Sequence, residues 1–395
     1  MNPKSLLLML VLCLPAFDGA RAQDVPSKDV LADIVRQITV RPASITFERR
    51  TGTMDGTCAL QPAQMNLSRS GNVAKSFSVL VDKPTGPNAP KEFFVTLKRI
   101  AVDADGSGRA YHPEDPLGHG VCQRTTSADG KPALNGVCAL DEFSSSGTNL
   151  YKGSQRLSGE AFTSSWKAIW SKISARSLKS VTLAEAYGHG VPEKFYFFYW
   201  RERGLLALFR DNIIPKDSGG YPCRYDAADG SRDGYFVSST TLENGTAARA
   251  DGCAVHRYLD AETVPFVVLP LGGFGQVRVG DIAILQSNER PVRTVYAIVG
   301  DEGPGTKLGE GSIALNAKLL GKSGEPLLTM KDTWAIDIQG RAVSLLVLGG
   351  TNKSLNGDYS ARNIEAVAQQ ELKRWNGDGN PLTRFEACKT VAPAN

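Results

Sequence analysis

The sequence has no apolar run long enough to cross a membrane as a helix. Its longest, residues 6–17, holds twelve residues, against the roughly 18 or more that a spanning helix needs. No membrane segment is expected. There is no long Lys/Arg run either: 45 basic and 41 acidic residues are interspersed and leave a formal charge of +4, which excludes the concentrated basic footprint of a nucleic-acid binder. No C-x-x-C pair occurs, so neither a zinc ribbon nor a dithiol redox motif is expected. No Gly-x-Gly-x-x-Gly opens a helix after a strand, which argues against a parallel dinucleotide-binding sheet. No internal repeat is visible.

What is present is a globular composition. The chain has 395 residues, 42% hydrophobic and 22% charged, too apolar for disorder, and its 40 Gly and 21 Pro interrupt it too often for a coiled coil. Lys4 precedes the apolar stretch and Ala20-Arg21-Ala22 follows it, the pattern of a secretory signal peptide cleaved before Gln23. Cys13 lies behind Leu12 rather than behind a small residue, so lipid anchoring is not expected. The mature chain would carry Cys58, Cys122, Cys138, Cys223, Cys253 and Cys388, an even number that in an exported protein favours up to three disulfides. Spacing suggests Cys122 with Cys138 and Cys223 with Cys253. The expected location is outside the cytoplasm, extracellular or periplasmic.

Hydrophobic patterning divides the remainder. Residues 23–90 read as a small β-rich preface with one amphipathic helix, Val30, Ile34 and Ile38 on one side, ending in the linker-like 83–90 (KPTGPNAP). Residues 93–102 read as a strand, and 117–230 as a large mixed insertion. There Phe162, Trp166, Ile169, Trp170 and Ile173 recur at helical spacing, and the aromatic run 195–200 suits a buried strand or, alternatively, a sugar-stacking platform. Short β-branched runs at 235–238, 263–269, 281–285, 294–299 and 342–348 alternate with Gly/Pro turns, as in a compact sheet or barrel. Ile364, Val367, Ala368, Leu372 and Trp375 mark a closing helix behind a Ser360 cap, and 379–395 is left as a tail. The expected fold is mainly β (α+β): a compact barrel-like core with peripheral helices, residues 91–378, carrying the insertion.

Several motifs suggest chemistry. Asp103, Asp105, Ser107, Gly108 and Glu114 fall at positions of a calcium-loop template, but a strand leads in and Pro113 sits inside, so an Asx-type turn is the expectation. Asp217-Ser218-Gly219-Gly220 echoes a serine-protease tetrapeptide, yet His112 and His119 lack the surroundings of a matching base, and a Gly-rich turn is expected. His119 and His189, each in Gly-His-Gly, lack a third ligand for zinc. The segment 299–312 (VGDEGPGTKLGEGS) places Asp301 at the end of an apolar strand and Glu310 just past a Gly/Pro loop. Two carboxylates on rigid flanks are what glycoside hydrolysis requires, one to protonate the leaving oxygen and one to activate water.

That segment, together with 101–116 (AVDADGSGRAYHPEDP), 234–242 (GYFVSSTTL), 257–270 (RYLDAETVPFVVLP), Gly280-Asp281 and the rest of 297–316, resembles in order the blocks of the fungal-type chitosanases of glycoside hydrolase family 75. The preface and the insertion are not matched. The resemblance implies endo-hydrolysis of β-1,4-linked glucosamine polymer with inversion by Asp301 and Glu310, with no cofactor and no metal. Glu310 is assigned as acid and Asp301 as base, with the reverse order open. Chitosan is cationic where its amines are protonated, so an acidic groove is expected. Asp103, Asp105, Glu114, Asp260, Asp281 and Glu302 could supply it, and Tyr111, His112 and Tyr235 could line it. Two other readings stand beside this one: hydrolysis of another amino-sugar polymer such as peptidoglycan, and a non-catalytic carbohydrate-binding or interaction protein on the same scaffold.

Overall fold

The structure is a computed structural model that describes residues 27–38, 44–50, 56–69, 72–83, 90–145, 147–187, 195–244, 252–254, 256–272, 275–377, 380, 382–393 and 395. The expected signal peptide, most of the linker-like 83–90 segment and His189 lie outside them. The chain enters as helix α1 (Lys28–Ile38) and the meander β1 (Ser44–Arg49), β2 (Gln61–Arg69) and β3 (Asn72–Val81), then β4 (Glu92–Asp103). The insertion contributes a hairpin, β5 (Gln123–Thr126) and β6 (Pro132–Asn135), then β7 (Thr148–Lys152), β8 (Gln155–Arg156), α2 (Gly159–Ser174), β9 (Val181–Thr182), α3 (Leu183–Tyr187), β10 (Phe195–Trp200) and β11 (Leu205–Arg210). The last part runs β12 (Phe266–Pro270), β13 (Ile282–Ser287), β14 (Thr294–Gly303), β15 (Glu310–Ser312), α4 (Ile313–Leu320), α5 (Met330–Trp334), β16 (Ile338–Leu348), α6 (Ala361–Asn376) and α7 (Thr383–Val391).

Six strands close on themselves in the order β4-β15-β12-β14-β13-β16, with β16 returning to β4. Pairs β14–β12 and β15–β4 are parallel and the others antiparallel, so the barrel is mixed. Alternation along its strands separates two buried sets. Val95, Val267, Ala283, Ala297 and Leu345 join one cluster, and Phe94, Phe266, Ile284, Ile298 and Leu346 join another that α6 and α7 cover through Ile364, Ala368, Leu372 and Phe385. The helix-covered set is the outer face. Both faces of these strands are buried, which is why they read as continuous β-branched runs rather than as polar alternation. Ser360 caps α6 as expected, its Oγ accepting from Asn363 N.

The preface is continuous with the barrel. β3 pairs with β4, and Met65, Phe77 and Val79 share a cluster with Val95 and Val347. The described residues of the C-terminal segment, 380, 382–393 and 395, are also built in. α7 is bonded through Cys388 to Cys58 of the preface, and the Asn395 side chain exchanges hydrogen bonds with Ser78 of β3. Cys122–Cys138 and Cys223–Cys253 form the other two disulfides.

The insertion makes its own antiparallel sheet, β8-β7-β11-β10-β9. Tyr196 and Phe198 of β10 pack under α2 against Phe162 and Trp166, while Phe195 and Phe197 face α1 and its Leu31, Ile34 and Val35. The aromatic run is therefore core on both faces at residues 195–198. Residues 235–238 make only an isolated bridge at Phe236 with Arg224 rather than a strand. No helix among the described residues is long and apolar enough to cross a membrane.

Candidate active site

One row of the barrel brings the two proposed catalytic carboxylates to the same place. Val268 on β12 is paired with Asp301 on β14 at one side and with Glu310 on β15 at the other. Plain alternation after Val299, which lies in the inner cluster, would turn Asp301 inward too. A bulge between Val267 and Val268 prevents this: Val267 is opposite Val299, but Val268 is opposite Asp301, so Gly300 is the extra residue. The bulge re-aims Asp301 to the face of Val268 and Glu310. Glycine is required there because a Cβ would come within 2.5 Å of the Phe266 side chain. Two strand spacings separate the backbones of Asp301 and Glu310, about 10 Å.

Both side chains line a cleft of about 450 Å³. Its barrel wall is the end of β4 with Asp103 and Asp105, the end of β14 with Asp301, and the start of β15 with Glu310. Its opposite wall belongs to the insertion: Asp141, Phe195, Arg210 and Asp211. The segment 239–243 and Tyr258 complete it. Eight acidic side chains line the cleft against the two cations Arg210 and Lys307, so the groove is acidic although the whole chain is net basic.

Asp301 is 8% exposed. Its Oδ1 accepts from Thr241 N (2.8 Å), from the Thr241 hydroxyl and from Glu302 N (2.7 Å). Among the described residues no donor reaches its Oδ2. Glu310 is half-buried, with Lys307 Nζ 3.2 Å from its Oε1 and its Oε2 3.0 Å from where a Cβ on Gly303 would lie. Asp103 Oδ1 accepts from Asp105 N (2.9 Å), the expected Asx turn, and Asp105 Oδ1 accepts from the Tyr111 hydroxyl (2.7 Å) and from Ser238 Oγ (3.1 Å). The other members of the calcium template do not converge with them: Ser107 donates to Glu262 (2.7 Å) and Glu114 is exposed.

Crowding these acids raises their proton affinity. Burial, and then the negative charge of Asp105, push Asp301 up to about 7. Burial and the same Asp105 charge push Asp141 up to about 7. Asp103 stands well above the usual carboxylate range, from burial and from Asp105, Asp301 and Glu310. Asp105 is raised by burial, against the opposing donors Tyr111 and Ser238 and the charge of Arg210. Arg210, at the end of β11 and 8% exposed, is thus the insertion's cation in an otherwise acidic floor.

The other expected binding residues are placed elsewhere. Tyr111 is fully buried behind Asp105 and does not line the cleft. His112 packs edge-on against Tyr235, its Nδ1 accepting from Glu114 N, and burial with the Arg224 charge lowers it to about 4. Tyr235 donates to Cys138 O (2.8 Å). Asp260 pairs with Arg232 at 2.8 Å. Asp281 is fully buried and accepts from Arg278 N, Thr351 N and Asn352 N, fixing a turn beneath the barrel strands. These residues support the fold; of the proposed set, Asp103, Asp105, Asp301 and Glu310 meet in the cleft, with Glu302 at its edge.

Sequence reasoning did not single out Asp141, Arg210, Asp211, Thr241, Glu243 or Lys307. Arg210 did carry a signal, a charge that directly closes the apolar run LLALF and is followed by Asp211. Asp217 accepts from Gly219 N and Tyr221 N in the Gly-rich turn expected of it, and His119 is exposed. Among the described residues no group of three or more His, Cys, Asp or Glu side chains is arranged to hold a metal ion. Compared with known proteins, the chain matches no family model and no curated protein.

Proposed function

We propose that this is an exported endo-acting glycoside hydrolase that cleaves β-1,4-linked glucosamine polymer by inversion, with Asp301 and Glu310 as the reacting pair. The observation that carries the reading is their placement. They flank Val268 on alternate strands at one acidic cleft, about 10 Å apart at the backbone, a spacing of the order of the roughly 6.5–9.5 Å carboxyl separation that an inverting pair needs to leave room for a water. The five ordered sequence blocks support the same class. Three disulfides accord with an exported chain.

The electrostatics favour an exchange of the roles assigned from sequence. A general acid must hold a proton at the working pH, and Asp301, raised to about 7, holds one throughout weakly acidic solution. Its Oδ2 is the oxygen left to deliver it. Glu310 has an ammonium counter-ion in Lys307 and suits the base that draws a proton from water. In this reading Asp301 protonates the departing glycosidic oxygen while Glu310 deprotonates the water that attacks the anomeric carbon from the opposite face. Asp103, Asp105 and Asp141 make the groove attractive to a cationic sugar.

The test is release of reducing ends from deacetylated chitosan, chitin and bacterial cell wall by the mature protein. Chitosan is expected to be cleaved fastest, and Asp301→Asn and Glu310→Gln to lose about 10²- to 10⁴-fold in rate while still binding polymer. Cell wall as the sole substrate would move the reading to peptidoglycan. Full activity in both folded variants would remove the pair.

A further inference from the structure

Thr241 presents two donors to a single oxygen of Asp301. Its N–H lies 2.8 Å from Oδ1 and its hydroxyl donates to the same atom. Glu302 N–H is shared, 2.7 Å from Oδ1 and 3.1 Å from Thr241 Oγ1. The segment that carries Thr241 is itself fastened. Leu242 N donates to Gly300 O (3.0 Å), the bulge residue, and Thr240 Oγ1 donates to Leu242 O (2.8 Å) while accepting from Leu259 N (3.1 Å). Thr241 is exposed, so no core packing accounts for its position.

We propose that Thr241 is the positioning residue of Asp301: its N–H and hydroxyl, with the Glu302 N–H, occupy Oδ1, fix the carboxyl plane, and leave Oδ2 as the oxygen that carries the proton into the cleft. A carboxylic acid has one proton and two oxygens, and a proton on Oδ1 would face three donors at once. Occupation of Oδ1 therefore selects Oδ2. The same donors favour the ionised form and oppose the charge around them. The groups facing Asp301 are Asp103 and Asp105 from the end of β4, Asp141 and Arg210 from the insertion, and Glu310 and Lys307 from β15 and the loop before it. Thr241 thus acts through Asp301 rather than on the substrate. This rests on the reading of Asp301 as the acid.

The experiment compares wild type, Thr241→Val, which keeps the shape and loses the hydroxyl, and Thr241→Ser, which keeps the hydroxyl. The Asp301 carboxyl is titrated by ¹³C NMR, its resonance assigned by its loss in Asp301→Asn, and hydrolysis of chitosan is followed against pH. In Thr241→Val the Asp301 midpoint is expected to rise by about one pH unit, since each hydrogen bond to the charged form is worth a shift of that order. The basic limb of kcat/KM should rise with it, and kcat should fall about 10-fold from lost orientation with KM little changed. Thr241→Ser should follow wild type in every readout. An unmoved midpoint in Thr241→Val overturns the proposal, as does Thr241→Ser shifting as far as Thr241→Val, which would assign the effect to the methyl group. If wild type cleaves no amino-sugar polymer and the midpoint still moves in Val and not in Ser, the hydrolase reading falls and the positioning role stands. Should Thr241→Val not fold, Thr241→Ala supplies the same comparison.

Discussion

Replacing Asp301 by asparagine should stabilise the protein above neutral pH and, on the proposed function, stop hydrolysis. Asp301 is 8% exposed, and burial with the Asp105 charge raises it from 3.8 to about 7. In the unfolded chain it would ionise near 4, so between about 4 and 7 the folded state holds a proton that the unfolded state has lost. Stability from this group is fully present below pH 4 and is lost as pH rises through 7. At about 1.4 kcal/mol per pH unit the gap corresponds to the order of 4 kcal/mol. Asp103 and Asp105 share the repulsion and can take up protons in its place, so the expected gain in Asp301→Asn at pH 8 is about 1–4 kcal/mol. Asparagine keeps an oxygen for the three Oδ1 donors.

The assay is urea unfolding of both proteins at pH 4, 6 and 8. Wild type alone would mislead, because His112, lowered to about 4, works in the opposite direction. Its stability contribution is present above about 6.5 and lost as pH falls toward 4. The difference between variant and wild type cancels that contribution. It should be near zero at pH 4, grow through pH 6 and level off above 7. A variant less stable than wild type at pH 8, or a difference that does not change with pH, would refute the burial and repulsion argument.

Other outcomes follow from the same geometry. Azide should restore part of the activity of a Glu310→Ala variant, by replacing the base, and should not restore Asp301→Asn; the opposite pattern would return the roles to those assigned from sequence. The first product should carry the inverted anomer, read by ¹H NMR within the first turnovers. Gly300→Ala should lower activity through the bulge and cost about 1–3 kcal/mol from crowding Phe266, checked by urea unfolding beside the rate. Removal of Cys58–Cys388, which closes a separation of 330 residues, should be the most damaging of the three disulfide deletions, with a loop-entropy ceiling of about 6 kcal/mol. Chelator should leave the melting temperature unchanged, since Ser107 and Glu114 do not join Asp103 and Asp105; a calcium-dependent rise would overturn that.

The barrel strands were legible because both of their faces are buried and β-branched runs are the signature of that burial. α2 and α6 were legible through Phe162, Trp166 and Ile169 and through Ile364, Ala368 and Leu372, which recur at helical spacing. Asp301 and Glu310 were readable as a pair from their flanking glycines and the family-like blocks. What brings them together was not: the β-bulge at Gly300 depends on which residue of β12 faces which residue of β14, and register across a parallel pair leaves no local mark. Asp260 and Asp281 look no different in sequence from Asp103 and Asp105. Their roles separate only when Arg232 and the backbone amides of 278, 351 and 352 supply partners. The insertion's share of the cleft was equally hidden, because Asp141 and Arg210 lie 69 residues apart and meet the barrel only in three dimensions.

In the proposed hydrolase, the insertion would bear on substrate choice through the charges it adds to the cleft, Asp141, Asp211 and Arg210. A fold has no packing reason to gather eight acidic side chains around one cleft with two cations, since each buried like charge raises the proton affinity of the next and costs stability as pH rises. The arrangement is offset where something positive enters. Arg210 does this from within for Asp105, and Asp141 has the charge of Asp105 and Glu310 beside it. A polymer bearing ammonium groups supplies positive charge from outside, and weakly acidic solution, where those amines are protonated, is also where Asp301 keeps its proton. In the proposed reaction, charge on the substrate and the proton on the acid would then be available in the same pH window, which would tie the acidic floor, formed by Asp103 and Asp105 of the barrel with Asp141 and Asp211 of the insertion, to the chemistry proposed for Asp301 and Glu310.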